Sequence, residues 1–279
     1  MGKADLHIHT TASDGNSTPS EIVEMAVDLK LEVISITDHD SIAGFKEAQA
    51  AASDKDIEVL AGSEITAAFD DQECHLLASG FDPDNSEFLK LLLEHKKARI
   101  NRGKWILDQL SRQGLDLDID EVKAEANGSN IGRPHIAAVL IDKGYVASFK
   151  EAFIRYLSDQ QLGVIPNDYL SCREVIDIVK QAGGATIVAH PGRIYTEEEL
   201  DQLVEAGVDG IEVIHPGHNY KLQKKMEVYA EKNNLLATGG SDFHGVSQEY
   251  QKYFGVVTIS TEKVHRMKRM IKQRRKTLV

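Results

Sequence analysis

Asp5-Leu6-His7-Ile8-His9-Thr10, continuing into Ser13-Asp14-Gly15, is the stretch whose reading decides the rest. As a β-strand it alternates. Residues two apart share a face, so His7 and His9 project from one side and Leu6 and Ile8 from the other. Two imidazoles held side by side at the end of a rigid strand make half of a divalent metal site. A hydrophilic strand face with two uninvolved histidines has the same spacing, and the pair alone does not separate the two readings.

Outward from that strand, Ser17-Thr18-Pro19-Ser20-Glu21 opens a helix, with proline in the first turn and an acid at the positive helix end. A buried strand over residues 32–37 ends in Thr37-Asp38-His39-Asp40, and a helix over about 42–52 follows. A third strand over 57–66 carries Glu64 near its end, and a fourth over 73–79 contains His75. Between residues 82 and 170 only helical pattern is found: one long polar-rich helix over 86–113, then shorter ones near 120–126, 133–143 and 149–157. Strand–helix alternation resumes over 173–239, punctuated by Gly183-Gly184 and Gly239-Gly240.

Alternation of this kind implies parallel βα units. In a barrel of such units the chemistry collects on loops at the strands' C-terminal ends. The polar residues fall there: His7, His9 and Asp14, then His39, Glu64, His190 in Ala189-His190-Pro191, His215, and Asp242 and His244 in Gly240-Ser241-Asp242-Phe243-His244. Most of the eleven histidines lie at or near such an end. A shared multimetal site explains that placement better than separately satisfied histidines do.

The 279 residues suit one large α/β domain with an insertion, a barrel from 1–81 and 171–279 and a helical cap from 82–170. A net charge of −12 argues against coating nucleic acid by bulk electrostatics, so no stable duplex binding is expected. No apolar run approaches the roughly 18 residues of a membrane span, and the N-terminus lacks a secretory pattern. Cys74 and Cys172 are far apart and imply no disulfide framework. The expectation is a cytoplasmic protein without membrane contact; the oligomeric state is not legible. Lys263 to Lys276 contain eight basic residues and no acid, with Val264, Met267 and Ile271 at helical spacing. That pattern reads as a closing amphipathic helix with a solvated basic face, or as a nucleic-acid grip.

The combination of His7-x-His9, Asp14, Thr37-Asp38-His39-Asp40, Glu64, His75, Ala189-His190-Pro191 and Gly240-Ser241-Asp242-Phe243-His244 resembles the polymerase and histidinol phosphatase (PHP) family of metallophosphoesterases, over essentially the whole chain. Gly132-Arg133-Pro134-His135-Ile136-Ala137 is similar to the nucleotide-acting branch, the bacterial 3′,5′-nucleoside bisphosphate phosphatases and 5′-to-3′ exoribonucleases. The resemblance implies an α/β fold: a distorted (β/α)7 TIM-like barrel with an all-helical insertion, holding three divalent transition-metal ions. Carried over residue by residue, His7, His9, Glu64 and Asp242 hold one metal, Asp14, His39 and His244 a second, and Glu64, His75 and His190 a third.

Three divalent ions against three carboxylates leave a cationic pocket, suited to a dianionic phosphate. The expected reaction is hydrolysis of a terminal phosphate monoester of a nucleotide (AMP or a 3′,5′-nucleoside bisphosphate), or of short 5′-phosphorylated RNA, by metal-activated hydroxide. An imidazole–carboxylate ligand mix fits Mn, Fe or Zn better than Mg or Ca. Arg133 has the planar fork that suits a phosphate, at a helix start; Arg193, just after His190-Pro191-Gly192, is a second candidate on a strand-end loop, and both also read as surface cations. His215 is the candidate to protonate the leaving alcohol or bind phosphate, and His218 the candidate for a phosphate contact. Asp38 and Asp40 are expected to orient imidazoles. His95, His135 and His265 are expected to be structural, and Arg99 and Arg102 to be solvated helix charges. The alternatives are a histidinol phosphate phosphatase, an amidohydrolase acting on C–N bonds, and a non-catalytic metal-holding interaction module.

Overall fold

The structure, a computed structural model, describes residues 2–70, 72–163, 168–245 and 252–278. Its strands form two sheets. In the first, β1 (Lys3–Ile8) is central, with β2 (Val33–Ile36) and then β3 (Glu58–Leu60) parallel to it on one side. The short strand Ile259–Ser260, β9 in chain order, pairs antiparallel on the other side. The second sheet runs β4 (Gly62–Phe69), β5 (Gln72–Ser79), β6 (Ala185–Val188), β7 (Gly210–Ile214) and β8 (Leu236–Gly239). β5 is antiparallel to both of its neighbours, and β6, β7 and β8 are parallel.

The sheets meet at two seams, where His39 bridges Glu64 and Ile8 bridges Phe243. The ladders among the described residues therefore define a mixed α/β fold of two abutting sheets, not one closed barrel. The β4–β5 hairpin also interrupts the expected βα rhythm. The single third strand expected over 57–66 is corrected as well: it breaks at Ala61, leaving β3 in one sheet and starting β4 in the other. Gly62 is what allows the crossing, since a Cβ there would stand 2.2 Å from Ser35 Oγ and 2.6 Å from the Ile36 carbonyl.

Helices α1 (Pro19–Asp28) and α2 (Ala43–Ala51) follow β1 and β2. Thr18 and Glu21 form a reciprocal cap on α1, satisfying two of the amides a helix start leaves open. After β5 come α3 (Ser86–Ser111), α4 (Ile119–Glu125), α5 (Arg133–Asp142), α6 (Phe149–Ala152) with a π-helical turn at Phe153–Leu157, and α7 (Asp159–Leu162). Two apolar clusters divide this stretch. Phe88, Leu91 and Leu92 of α3 belong to the main core, whereas Ile106, Leu107 and Leu110 join Val122, Ile136 and Leu140 in a separate one. The division between clusters thus falls inside α3, and not at its start.

Helices α8 (Cys172–Gln181), α9 (Glu197–Ala206) and α10 (Tyr220–Lys232) alternate with β6, β7 and β8, and α11 (Thr261–Thr277) closes the described chain. α11 buries Val264, Met267 and Ile271, as its spacing predicts. Its charge is partly engaged: Arg274 pairs with Asp209 at 2.5 Å, and Arg275 donates to the carbonyls of Gly183 and Gly80. No described helix is long and apolar enough to cross a membrane.

Candidate metal centre

Glu64 sits at the hub. Its Oε1 lies 3.0 Å from His75 Nδ1 and 3.1 Å from His190 Nε2. Its Oε2 lies 3.3 Å from His7 Nε2, 3.1 Å from His9 Nε2 and 3.3 Å from His39 Nδ1. Asp242 Oδ1 adds a second carboxylate 3.3 Å from His7 and 3.4 Å from His9. Asp14 lies 3.6 Å from His9 and from His244, and 3.9 Å from His39. The folded chain thus brings together all nine residues expected as ligands.

Three groups have ligand atoms within 4.8 Å of one another: His9, Asp14, His39 and His244; His7, His9 and Asp242; and His39, Glu64 and His75. His9 and His39 each face two groups, so the boundaries between groups are less sharp than the resemblance implies.

Three left-handed backbone positions lie at or beside the site. Asp40, His190 and Asp242 all have positive φ, at 48°, 33° and 50°. Such conformations are held only where the surroundings over-determine them. At Gly240 a Cβ would stand 2.4 Å from the His7 amide nitrogen, so glycine lets the loop after β8 lie directly against β1 and deliver Asp242.

The donor set fits cations, and the structure itself supplies the test. His7 Nε2 and His9 Nε2 face each other at 3.1 Å. His9 Nδ1, Asp14 Oδ1 and His39 Nδ1 are buried without a hydrogen-bond partner. Electrostatics agree. Burial disfavours the charged form of His9, but hydrogen bonds to Asp242 and Glu64 and the nearby carboxylate charge outweigh it and push its pKa up to about 10. His7 is raised as well, burial being overcome by Glu212, Asp242 and Glu64. Burial also works against the Glu64 carboxylate, yet His39, His75 and His7 hold its pKa well below the usual range. His39 goes the other way: burial outweighs Glu64 and Asp14 and lowers it to about 3. Protons on some of these imidazoles stand where positive charge is called for.

Around the nine, the other expected residues divide. His215 joins the site, its Nε2 lying 3.3 Å from Asp242 Oδ2. His218 does not: Nδ1 donates to the Val213 carbonyl at 3.0 Å and Nε2 accepts from the Gly192 amide at 3.1 Å. With both ring nitrogens engaged, His218 pins two loops together and has no donor for a phosphate. Arg133 donates to the Leu157 carbonyl at 3.2 Å and lies over the Phe153 ring, at the start of α5. The side chain of Arg193 lies outside the described residues.

Asp38 accepts from Thr10 N, Thr10 Oγ1 and Ser13 Oγ, so it braces the loop that presents Asp14 and orients no imidazole. Asp40 meets His95, at 2.9 Å, not a member of the nine. His135 accepts from the Gly132 amide at the start of α5, in keeping with a structural role. The solvated reading of Arg99 and Arg102 is overturned. Both are 8% exposed, Arg99 pairing with Asp40 at 2.6 Å and Arg102 with Glu73 at 2.7 Å. Their face of α3 packs onto the loop after β2 and onto β5, where carboxylates meet them.

Sequence reasoning missed Glu212. Its Oε2 lies 3.1 Å from His7 Nδ1 and accepts from the His190 amide at 2.7 Å, so one carboxylate orients one candidate ligand and anchors the loop of another. The only signal was an acid inside the apolar strand Gly210-Ile211-Glu212-Val213-Ile214. Replacing Glu212 with Gln is expected to weaken metal binding by about 10- to 100-fold, the scale for partners that orient metal-bound imidazoles. Titration of the stripped protein with Mn2+ measures it, and unchanged affinity would remove Glu212 from the site.

Residues 5–158 match the PHP domain family, and the chain belongs to it. A Haemophilus influenzae protein named 5′-3′ exoribonuclease is 32% identical over 247 residues, covering 87% of this chain and 90% of that one. A 3′,5′-nucleoside bisphosphate phosphatase of Chromobacterium violaceum is 30% identical over 250 residues, 88% of each. Among solved structures, a candidate metal-dependent phosphoesterase from Bifidobacterium adolescentis aligns with a TM-score of 0.87 at 34% identity over 96% of both chains. Family and site together define a metal-dependent phosphoric ester hydrolase.

Proposed function

We propose that this chain removes a terminal phosphate monoester from a small nucleotide, AMP or a 3′,5′-nucleoside bisphosphate, or from the 5′ end of a short RNA. Three divalent transition ions, of the Mn, Fe or Zn type, would be held by His7, His9, Glu64 and Asp242; by Asp14, His39 and His244; and by Glu64, His75 and His190. The observation that carries the reading is five imidazoles within 3.3 Å of the single Glu64 carboxylate. Bound there, such ions supply Lewis acidity toward a phosphoryl oxygen and water ionised near neutral pH. The relatives named for a nucleoside bisphosphate and for RNA support a nucleotide substrate.

His215 has a fixed tautomer. Its Nδ1 accepts from the Gly217 amide at 3.0 Å, so the proton sits on Nε2 and points toward Asp242. With Asp242 turned to a metal, that Nε2–H would be free to donate a hydrogen bond to a phosphoryl or leaving oxygen. Full proton delivery would need Nδ1 protonated as well, against the Gly217 N–H. The helical segment reaches the loops that carry candidate ligands: Ser129 Oγ donates to the Ser13 carbonyl and Asn130 Nδ2 to that of His39. On this reading the segment chooses the substrate, with Arg133 as a phosphate contact.

The test is phosphate release, with Mn2+ present, from AMP, a 3′,5′-bisphosphate nucleotide, histidinol phosphate and a 5′-phosphorylated oligoribonucleotide. Turnover of a nucleotide or the RNA is expected, and no hydrolysis of any of them sinks the reading. Faster turnover of histidinol phosphate would replace the substrate class and keep the chemistry. Arg133→Ala is expected to raise KM for the preferred nucleotide about tenfold, the scale of one charge-assisted hydrogen bond, with metal content unchanged.

A further inference from the structure

Asp40 follows the candidate ligand His39 directly. The residue is 2% exposed, and its carboxylate accepts hydrogen bonds from two separate parts of the chain. From β4 come Thr66 N at 3.0 Å and Thr66 Oγ1 at 3.1 Å. From α3 come His95 Nδ1 at 2.9 Å and Arg99 Nε at 2.6 Å. Arg99 also reaches β4 itself, donating from Nη2 to Thr66 Oγ1 at 2.8 Å.

These contacts converge on three candidate ligands. Thr66 lies two residues beyond Glu64 and opposite His75 in the β4–β5 register. The Asp40 amide donates to the Glu64 carbonyl at 2.9 Å. Asn130 adds a second tie, donating to the carbonyls of His39 and Asp40 at 3.0 and 2.8 Å. One guanidinium on α3 therefore grips the segments carrying His39, Glu64 and His75, whose ligand atoms form one of the converging groups.

A buried ion pair is a poor device for packing alone. Taking two charges out of water is costly, and apolar residues of similar volume often serve stability as well or better. Geometry is what a planar guanidinium provides that an apolar side chain does not, with Nε held to Asp40 and Nη2 to Thr66 in one rigid fork. The left-handed backbone of Asp40, φ 48°, also needs surroundings that hold it in place.

We propose that Arg99 is a positioning residue for the metal centre: acting through Asp40 and Thr66, it sets the spacing of His39, Glu64 and His75. Because Arg99 belongs to α3, metal affinity is thereby coupled to the seating of that helix on β4, and by reciprocity bound metal strengthens the seating. The inference rests on the metal-centre reading above.

The experiment uses the full chain, stripped of metal and titrated with Mn2+ and separately with Co2+, as wild type, Arg99→Lys, Arg99→Gln and Arg274→Lys. Arg274 pairs with Asp209, which precedes β7 at the strand end away from His215, so its variant loosens an ion pair without touching the centre. In both Arg99 variants at least one Mn2+ is expected to bind about 10- to 100-fold more weakly. The visible Co2+ spectrum is expected to change at equal loading, while Arg274→Lys behaves as wild type. A wild-type chain that binds no metal sinks the proposed function. A wild-type chain that binds metal, with Arg99→Lys unchanged in affinity and spectrum, overturns this inference alone. Equal weakening in Arg274→Lys also overturns it, because general loosening would then be the cause. Should Arg99→Gln fail to fold, Arg99→Lys decides, since it keeps the charge beside Asp40 and loses the second donor to Thr66. Failure of both to fold, with no recovery on adding Mn2+, makes Arg99 a folding residue and overturns the proposal.

Discussion

Glu64→Gln is expected to lower phosphate-ester turnover by about 10³-fold, the scale of removing a principal electrostatic element from a preorganised site. The substitution keeps the volume and replaces one carboxylate oxygen with a donor that repels cations and cannot accept from an imidazole. Both oxygens are in use: Oε1 faces His75 and His190, and Oε2 faces His7, His9 and His39. Whichever way the amide is turned, at least two imidazoles lose their acceptor. Metal content should fall together with turnover. That pairing separates a ligand role from a substrate contact, which would change KM and leave metal content alone. Retained turnover at full metal content would show that the hub of the cluster is not the hub of the chemistry.

How much of this was legible in the chain depends on where each residue's partner lies. All of the nine candidate ligands but His75, which lies inside β5, stand at or near strand ends or on the loops that follow, in short sequences whose polar residues interrupt apolar runs, and that contrast is visible locally. Glu212 has no such contrast. It sits inside a buried strand, and what distinguishes it from an outward-facing acid is His7, 205 positions away. Arg99 and Arg102 fail for a related reason. A polar-rich helix shows the period of its charges but not which of them meets a carboxylate, and Asp40 is 59 positions from Arg99. The break at Ala61 is marked in the sequence only by Gly62-Ser63, a pair equally at home inside one continuous strand. Only the nearness of Ser35 and Ile36 shows why a glycine is needed there. The two sheets follow from that break and from the β4–β5 hairpin, whose two strands are legible as neighbours in sequence but whose antiparallel pairing is not.

Metal uptake by the stripped protein is expected to release protons, and apparent affinity is expected to rise steeply with pH. In the metal-free chain His9 is pushed up to about 10. His7 is raised too, and so is His75, where the Glu64 charge overcomes burial. At pH 7 to 8 His9 holds a proton that a metal must displace, the upward shifts of His7 and His75 act in the same direction, and each proton displaced makes affinity about tenfold stronger per pH unit. His39, lowered to about 3, is already neutral and contributes none. The stability of the stripped chain has the opposite sign. A pKa raised above the unfolded value of about 6.5 stabilises fully below that pH, and the contribution is lost as pH rises through the folded value, near 10 for His9. The gap in Tm between metal-loaded and stripped protein should therefore widen from pH 6.5 upward, since ligand stabilisation grows with affinity. Calorimetric Mn2+ titrations in two buffers of different ionisation enthalpy count the protons, and melting curves across the same pH range follow the gap. Uptake with no proton release, and a gap that stays flat, would mean that the imidazoles are neutral before metal arrives. The carboxylates would then face one another unscreened, and the cluster as described would need another source of positive charge.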